Sequence, residues 1–172
     1  MSSSISTNHV YVLSPATEAR FAREVAKYPA DQQVSAVMAC LAIVQDEQGH
    51  VSRASEDVIA AYLKMPAIAV YEVTTFYNMY NQKPTGQFKL NVCTNLPCQL
   101  RDGQQALEYL CHKLGVSVGG TTADGLFTVQ QSECLGACAD AQVMLVNDRQ
   151  MCSFMSHQRL DELVDVLTAN AG

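Results

Sequence analysis

The chain has no long apolar run, no cluster of basic residues and no dinucleotide-binding glycine loop, and each absence excludes a class of function. No apolar stretch approaches the ~20 residues needed to span a bilayer. The longest, VSAVMACLAIV (34–44), is too short and reads as a buried helix. Direct membrane insertion is therefore not expected. Lysine and arginine total 11 against 17 acidic residues, a formal net charge of −6. Without a local basic cluster, this balance argues against a nucleic-acid partner. No GxGxxG is present, so the chain is not expected to bind a dinucleotide alone. The N-terminal MSSSISTNHVYVLSP lacks a basic segment followed by an apolar core, so it does not read as a signal peptide. The expected location is the cytoplasm, or the cytoplasmic side of a larger assembly. Thiols stay reduced there, and cysteine patterns point to metal binding or catalysis before disulfides.

What is present is a globular composition, 48% hydrophobic and 16% charged, over 172 residues. Residues 1–14 are Ser-rich and read as a loose tail. From there to residue 82 the pattern is helical. Ser14 and Pro15 open a first helix, with Phe21, Val25 and Tyr28 inward and Pro29 as its end. Asp31 is the expected cap of a second helix, with Val34, Met38, Leu41 and Val44 inward and Gly49 as stop. Ser52 caps a third, with Val58, Ile59, Tyr62 and Leu63 inward. MPAIAVYEVTTFYNMY reads as a fourth, starting near Pro66. No strand pattern precedes residue 86.

Beyond the turn-rich Lys83-Pro84-Thr85-Gly86, the character changes. QFKLNVC (87–93) alternates as a strand and ends at a cysteine. LRDGQQALEYLCHKLGV is a helix with Asp102 as cap and Gly115 as stop. LFTVQQSEC is a second strand, again running into a cysteine. QVMLVND and RQMCSFM pair as a hairpin through Asp148-Arg149, and Ser156 caps a closing helix. The expected fold is α/β: a four-helix domain over 15–82, then a β-α-β-β-β-α domain of thioredoxin-like order over 86–172. A strand, a crossover helix and a strand imply a parallel unit.

Seven cysteines are present, an odd number that weakens a disulfide framework: Cys40, Cys93, Cys98, Cys111, Cys134, Cys138 and Cys152. Cys93 and Cys98, in CTNLPC, follow the first strand. Cys134 and Cys138, in CLGAC, follow the second. Strands of a parallel pair end on the same edge, so two loops with two thiols each become neighbours. Four convergent sulfurs suit zinc or an iron–sulfur cluster. The x4 and x3 gaps are wider than the Cys-x2-Cys knuckle of structural zinc. One loop per iron matches the need of a [2Fe–2S] cluster, which favours the cluster. Zinc and unrelated buried cysteines stay open on spacing alone. Gly136 would let the backbone fold close and aim N–H groups at sulfur, and Pro97 would stiffen the other loop. The plant-type ferredoxin spacing, Cys-x2-Cys-His for haem and a Cys-x2-Cys dithiol are all absent.

YPADQQVSAVMACLAIVQDEQG, IAVYEVTTFYNMYN, VCTNLPC, ECLGACADAQVMLVND and MCSFMS together resemble the thioredoxin-like [2Fe–2S] subunit of respiratory NADH:quinone oxidoreductase, complex I. The cysteine set with Gly136 inside is the specific part, and YEVTTFY is an independent match. The resemblance implies a helical domain before a thioredoxin-like [2Fe–2S] ferredoxin domain. It implies one [2Fe–2S] cluster on Cys93, Cys98, Cys134 and Cys138. It also implies a partner subunit that holds FMN and oxidises NADH, further complex subunits, and a peripheral seat on the cytoplasmic face of the inner membrane. The chain itself would carry electrons, with no catalysis of its own. Two alternatives stand beside this: the homologous subunit of an NAD-dependent formate dehydrogenase or bidirectional hydrogenase, and a zinc-binding adaptor.

Cys40, mid-helix, reads as a core thiol. Cys111 and Cys152 read as structural thiols, and His9, His50, His112 and His157 as surface groups. Tyr71, Phe76, Tyr77 and Tyr80 read equally as core and as a docking face. Asp46-Glu47 and Asp161-Glu162 read as solvated charges.

Overall fold

A computed structural model of the chain describes residues 11–171, in two compact units, Met1–Pro84 and Thr85–Gly172. The expected loose tail lies outside the described residues up to residue 10. Tyr11 and Leu13, which follow, pack against the core of the first unit.

The first unit is helical: α1 (Pro15–Val25), a 3-10 turn (Gln33–Ala36), α2 (Val37–Gln48), α3 (Arg53–Leu63) and α4 (Ala67–Phe76). Ser14 Oγ accepts the Thr17 N–H at 3.1 Å, and Ser52 Oγ accepts the Ser55 N–H at 3.2 Å. Each satisfies a donor that helix geometry orphans. Phe21, Cys40, Leu41, Val44, Ile59 and Val70 form the centre of the core. Glu56 is buried there, accepting from Thr74 of α4 (2.5 Å), which joins α3 to α4, and from Arg53 of its own helix (2.8 Å). Three expectations need correction. The first helix ends at Val25, before Pro29, and Tyr28, expected inward, lies past its end and is exposed. Asp31 caps nothing: the chain enters α2 through the 3-10 turn, which has no side-chain cap, and Val34 on that turn faces outward. The fourth helix stops at Phe76, where Tyr77 turns extended.

The second unit contains β1 (Phe88–Cys93), α5 (Leu96–Gln99), α6 (Gly103–Leu114), β2 (Phe127–Ser132), a 3-10 turn (Cys138–Asp140), β3 (Met144–Val146), β4 (Gln150–Cys152) and α7 (His157–Ala169). The sheet order is β2-β1-β3-β4. β1 and β2 are parallel and in register from Phe88↔Phe127 to Cys93↔Ser132, while β3 and β4 add antiparallel. A helical region before a mixed, thioredoxin-like sheet is the architecture expected.

Leu90, Val92, Phe127, Val129, Met144 and Val146 meet Leu107, Leu110, Leu160 and Val164 in one core. Alternation along β1 turns Lys89, Asn91 and Cys93 away from that side. These positions are buried too, so β1 is a central strand covered on both sides. Lys89 reaches Asp148 at 2.5 Å, and Asn91 donates to the same carboxylate. This pairing offsets the cost of burying the ammonium group. The hairpin turns at Asn147 and Asp148, both with positive φ, one residue earlier than expected. β2 stops at Ser132, two residues short of Cys134.

Candidate metal centre

Cys93 ends β1, and the chain continues through Thr94 and Asn95 into the single turn of α5, which carries Cys98. CTNLPC is thus part helix rather than all loop. Asn95 occupies the N-cap position and Pro97 the first turn of α5, where proline costs no hydrogen bond. Gly103 opens α6 against this turn. A Cβ there would stand 2.8 Å from the Cys98 carbonyl oxygen and 2.9 Å from that of Cys93. Glycine is therefore required for close approach. A glycine at the first helical position, where it lowers helix propensity, is the sequence signal for that requirement. Asp102 sits at the N-cap of α6 but does not cap it. Its φ is +65°, and its carboxylate accepts from the Gln105 side chain instead.

Cys134 and Cys138 follow β2 on an exposed loop, their sulfurs 4.0 Å apart. Gly136 between them has φ +79°, which an L side chain rarely adopts, and its N–H donates to Cys134 Sγ at 3.4 Å. That is the role read for it in the sequence. Leu135 and Ala137 of this loop pack against Cys93, Cys98, Ala141 and Val143. The fold therefore brings both cysteine pairs to one edge of the sheet, as the parallel register requires.

The two pairs differ in environment. Cys93 and Cys98 are buried, whereas Cys134 and Cys138 are exposed. Burial pushes the Cys98 thiol up to about 11. The hydrogen bond with Cys93 adds to this, and a backbone bond from Val143 opposes it. Cys138 is raised first by its hydrogen bond with Cys134, then by burial and by the charges of Cys134 and Cys93. Cys138 also acts on Cys98. All four sulfurs therefore share one electrostatic neighbourhood. Among the described residues, no three Cys, His, Asp or Glu side chains surround a single-ion position. The sulfurs stand two and two. A donor set of four soft thiolates in two pairs suits two irons, each needing two thiolates.

Several other residues gain a place. Cys40 is fully buried and its thiol is pushed up to about 12 by burial, the core role expected. Cys111 and Cys152 are half-buried against the second core. Tyr80 is buried, its hydroxyl donating to the Met38 carbonyl at 2.9 Å, and Tyr71 lies under the Arg53 guanidinium. Phe76 and Tyr77 are exposed. The aromatic stretch thus serves the core on one side and faces outward on another. His157 stacks on Tyr109 at 4.0 Å, and Asp161 accepts from Tyr109 (2.8 Å) and Lys113 (2.7 Å), so neither is a bland surface group. Glu47, accepting from Thr17 at 2.6 Å, is likewise more than a solvated charge.

The sequence model of the family described as "Thioredoxin-like [2Fe-2S] ferredoxin" matches residues 21–168. NADH-quinone oxidoreductase subunit 2 of Thermus thermophilus is 38% identical over 144 residues, covering 84% of this chain and 80% of that protein. An NADH-quinone oxidoreductase subunit of Rhizobium meliloti is 38% identical, covering 84% of each. Its counterpart in Rickettsia conorii is 35% identical, covering 83% and 86%. Among solved structures, an NAD+-reducing [NiFe]-hydrogenase in its H2-reduced state superposes with a TM-score of 0.64 at 18% identity. That match covers 77% of this chain and 22% of the hydrogenase chain, so it is a likeness of fold over a minor part of the larger protein.

Proposed function

Because this chain belongs to the thioredoxin-like [2Fe-2S] ferredoxin family, we propose that it is the electron-transfer subunit of an NADH:quinone oxidoreductase. It would hold one [2Fe–2S] cluster next to the flavin in the peripheral arm of complex I. The observation that carries this reading is the pairing of four thiols, two and two, at the ends of adjacent parallel strands. Cys93 and Cys98 would hold the inner iron and Cys134 and Cys138 the outer one. The bound cluster supplies one-electron acceptance and release. The chain's own residues bind it, exclude water from one side through Ala141 and Val143, and donate a hydrogen bond to sulfur from Gly136. Such contacts set the stability of the reduced state.

NADH oxidation would belong to a partner that holds FMN, so the chain is part of an enzyme without independent activity. The exposed Phe76 and Tyr77 of the helical unit offer an aromatic contact for such a partner. Residues 15–82 would then be a docking domain and 86–172 the cluster domain. Among the described residues no helix is long and apolar enough to cross a membrane. The proposed seat is the cytoplasmic face of the inner membrane, reached through the other subunits. Affinity purification of the tagged full chain from its own host tests the assembly. A yellow, FMN-containing, NADH-oxidising protein together with quinone-reducing subunits is the expected companion set. A flavoprotein accompanied by hydrogenase or formate dehydrogenase subunits instead would move the chain to one of those machines.

A further inference from the structure

Regular pairing of β1 with β2 ends at Cys93↔Ser132, yet the second thiol pair begins two residues later. One more backbone bond and two side-chain bonds continue the contact where the ladder stops. The Thr94 N–H donates to the Ser132 carbonyl at 3.1 Å. Gln131 Nε2 donates to Thr94 Oγ1 at 2.7 Å, and Asn95 Nδ2 donates to Glu133 Oε2 at 3.0 Å. Thr94 and Asn95 directly follow Cys93, and Glu133 directly precedes Cys134. The Asn95–Glu133 bond therefore joins the two loops beside a thiol of either pair, and Gln131 holds Thr94 from the end of β2.

Two details set the Asn95–Glu133 bond apart from ordinary surface decoration. Asn95 occupies the N-cap of α5, where its side chain would ordinarily bond its own helix, but it makes no capping bond. Its amide is turned across the gap instead. Glu133 directly precedes Cys134, and its carboxylate holds the Asn95 amide from the other side of the gap.

We infer that Asn95 and Glu133 are positioning residues whose hydrogen bond, backed by Thr94 and Gln131, sets the separation of the two thiol pairs. The inference rests on the cluster reading above. A cluster of fixed size tolerates little error in that separation, because ligand constellations must be held within about 0.5 Å of the working geometry.

The test uses the full chain, loaded anaerobically with ferrous iron and sulfide. Four variants are compared with it: Asn95→Ala, Glu133→Ala, the double variant carrying both, and Glu133→Gln. Cluster loss to a ferrous chelator is followed by visible absorbance, the reduced state by EPR, and the unloaded chains by thermal unfolding. Both alanine variants should lose the cluster about fivefold faster, the factor that one net hydrogen bond carries, with a shifted g-anisotropy. Glu133→Gln keeps an oxygen acceptor for Asn95 and should stay within about twofold of the parent. The double alanine variant should be no faster than either single one, since all remove the same bond. Unloaded chains should unfold alike. Alanine variants that match a loaded parent would overturn the positioning role while leaving the cluster reading intact. So would a glutamine variant as fast as alanine, which would assign the effect to charge. A parent that takes up neither iron nor sulfide would overturn both.

Discussion

Cys40 and Cys134 are the same residue type in opposite surroundings. Cys40 is sealed in the helical core with its thiol held protonated, while Cys134 is exposed and shares a sulfur contact with Cys138. Chemistry therefore separates them. Cys134→Ser is expected to abolish or reshape the EPR signal of the reduced, iron-loaded chain, and Cys40→Ser to leave it unchanged. The glycines divide in a similar way. At Gly136 nothing stands within 4 Å of a new Cβ, and the requirement is backbone conformation alone. At Gly103 the requirement is space, since a Cβ would meet two backbone carbonyl oxygens that cannot rotate aside. Gly103→Ala should cost about 1–3 kcal/mol in urea unfolding, the range of overpacking, and should perturb the α5 turn that carries Cys98. The role of Gly136 could be read from its place between two cysteines. The bridge from Asn95 to Glu133 could not, because those residues lie 38 positions apart and their meeting depends on strand register.

Elements were readable where their ends carry chemistry of their own. Ser14, Ser52 and Ser156 each accept a backbone N–H at the helix start expected of them. Gly49 and Gly115 stop α2 and α6 in left-handed conformation. Aspartate misled at two starts. Asp31 precedes a 3-10 turn rather than an α-helix, and Asp102 is carried to positive φ by the tight passage from α5 into α6. The clasp between α6 and α7 was also hidden, because Asp161 meets Tyr109 and Lys113 from another helix. The Asp161 carboxyl is held below the usual carboxylate range, first by the Lys113 hydrogen bond and then by that of Tyr109. A depressed carboxylate stabilises the fold at pH above its unfolded value of ~3.9 and ceases to do so as pH falls through the lower folded value. Asp161→Asn should therefore lower the Tm at pH 7. The gap to the parent should close in strongly acidic buffer, a comparison that thermal unfolding by circular dichroism makes directly.

Across the whole chain, the periodicity changes from 3.6-residue to alternating near residue 86, and the compact units divide between Pro84 and Thr85. The parallel pairing of β1 and β2 then converts two cysteine pairs, distant in sequence, into one edge. That step was accessible to sequence reasoning because parallel strands must end together. The burial difference between the pairs was not, since it depends on Ala141 and Val143 packing on Cys93 and Cys98 while Cys134 and Cys138 stay exposed. Metal analysis of the full chain, purified anaerobically, tests the central claim most directly. About two irons and two acid-labile sulfides per chain are predicted for a [2Fe–2S] site on four thiolates. One zinc per chain with no iron would contradict it.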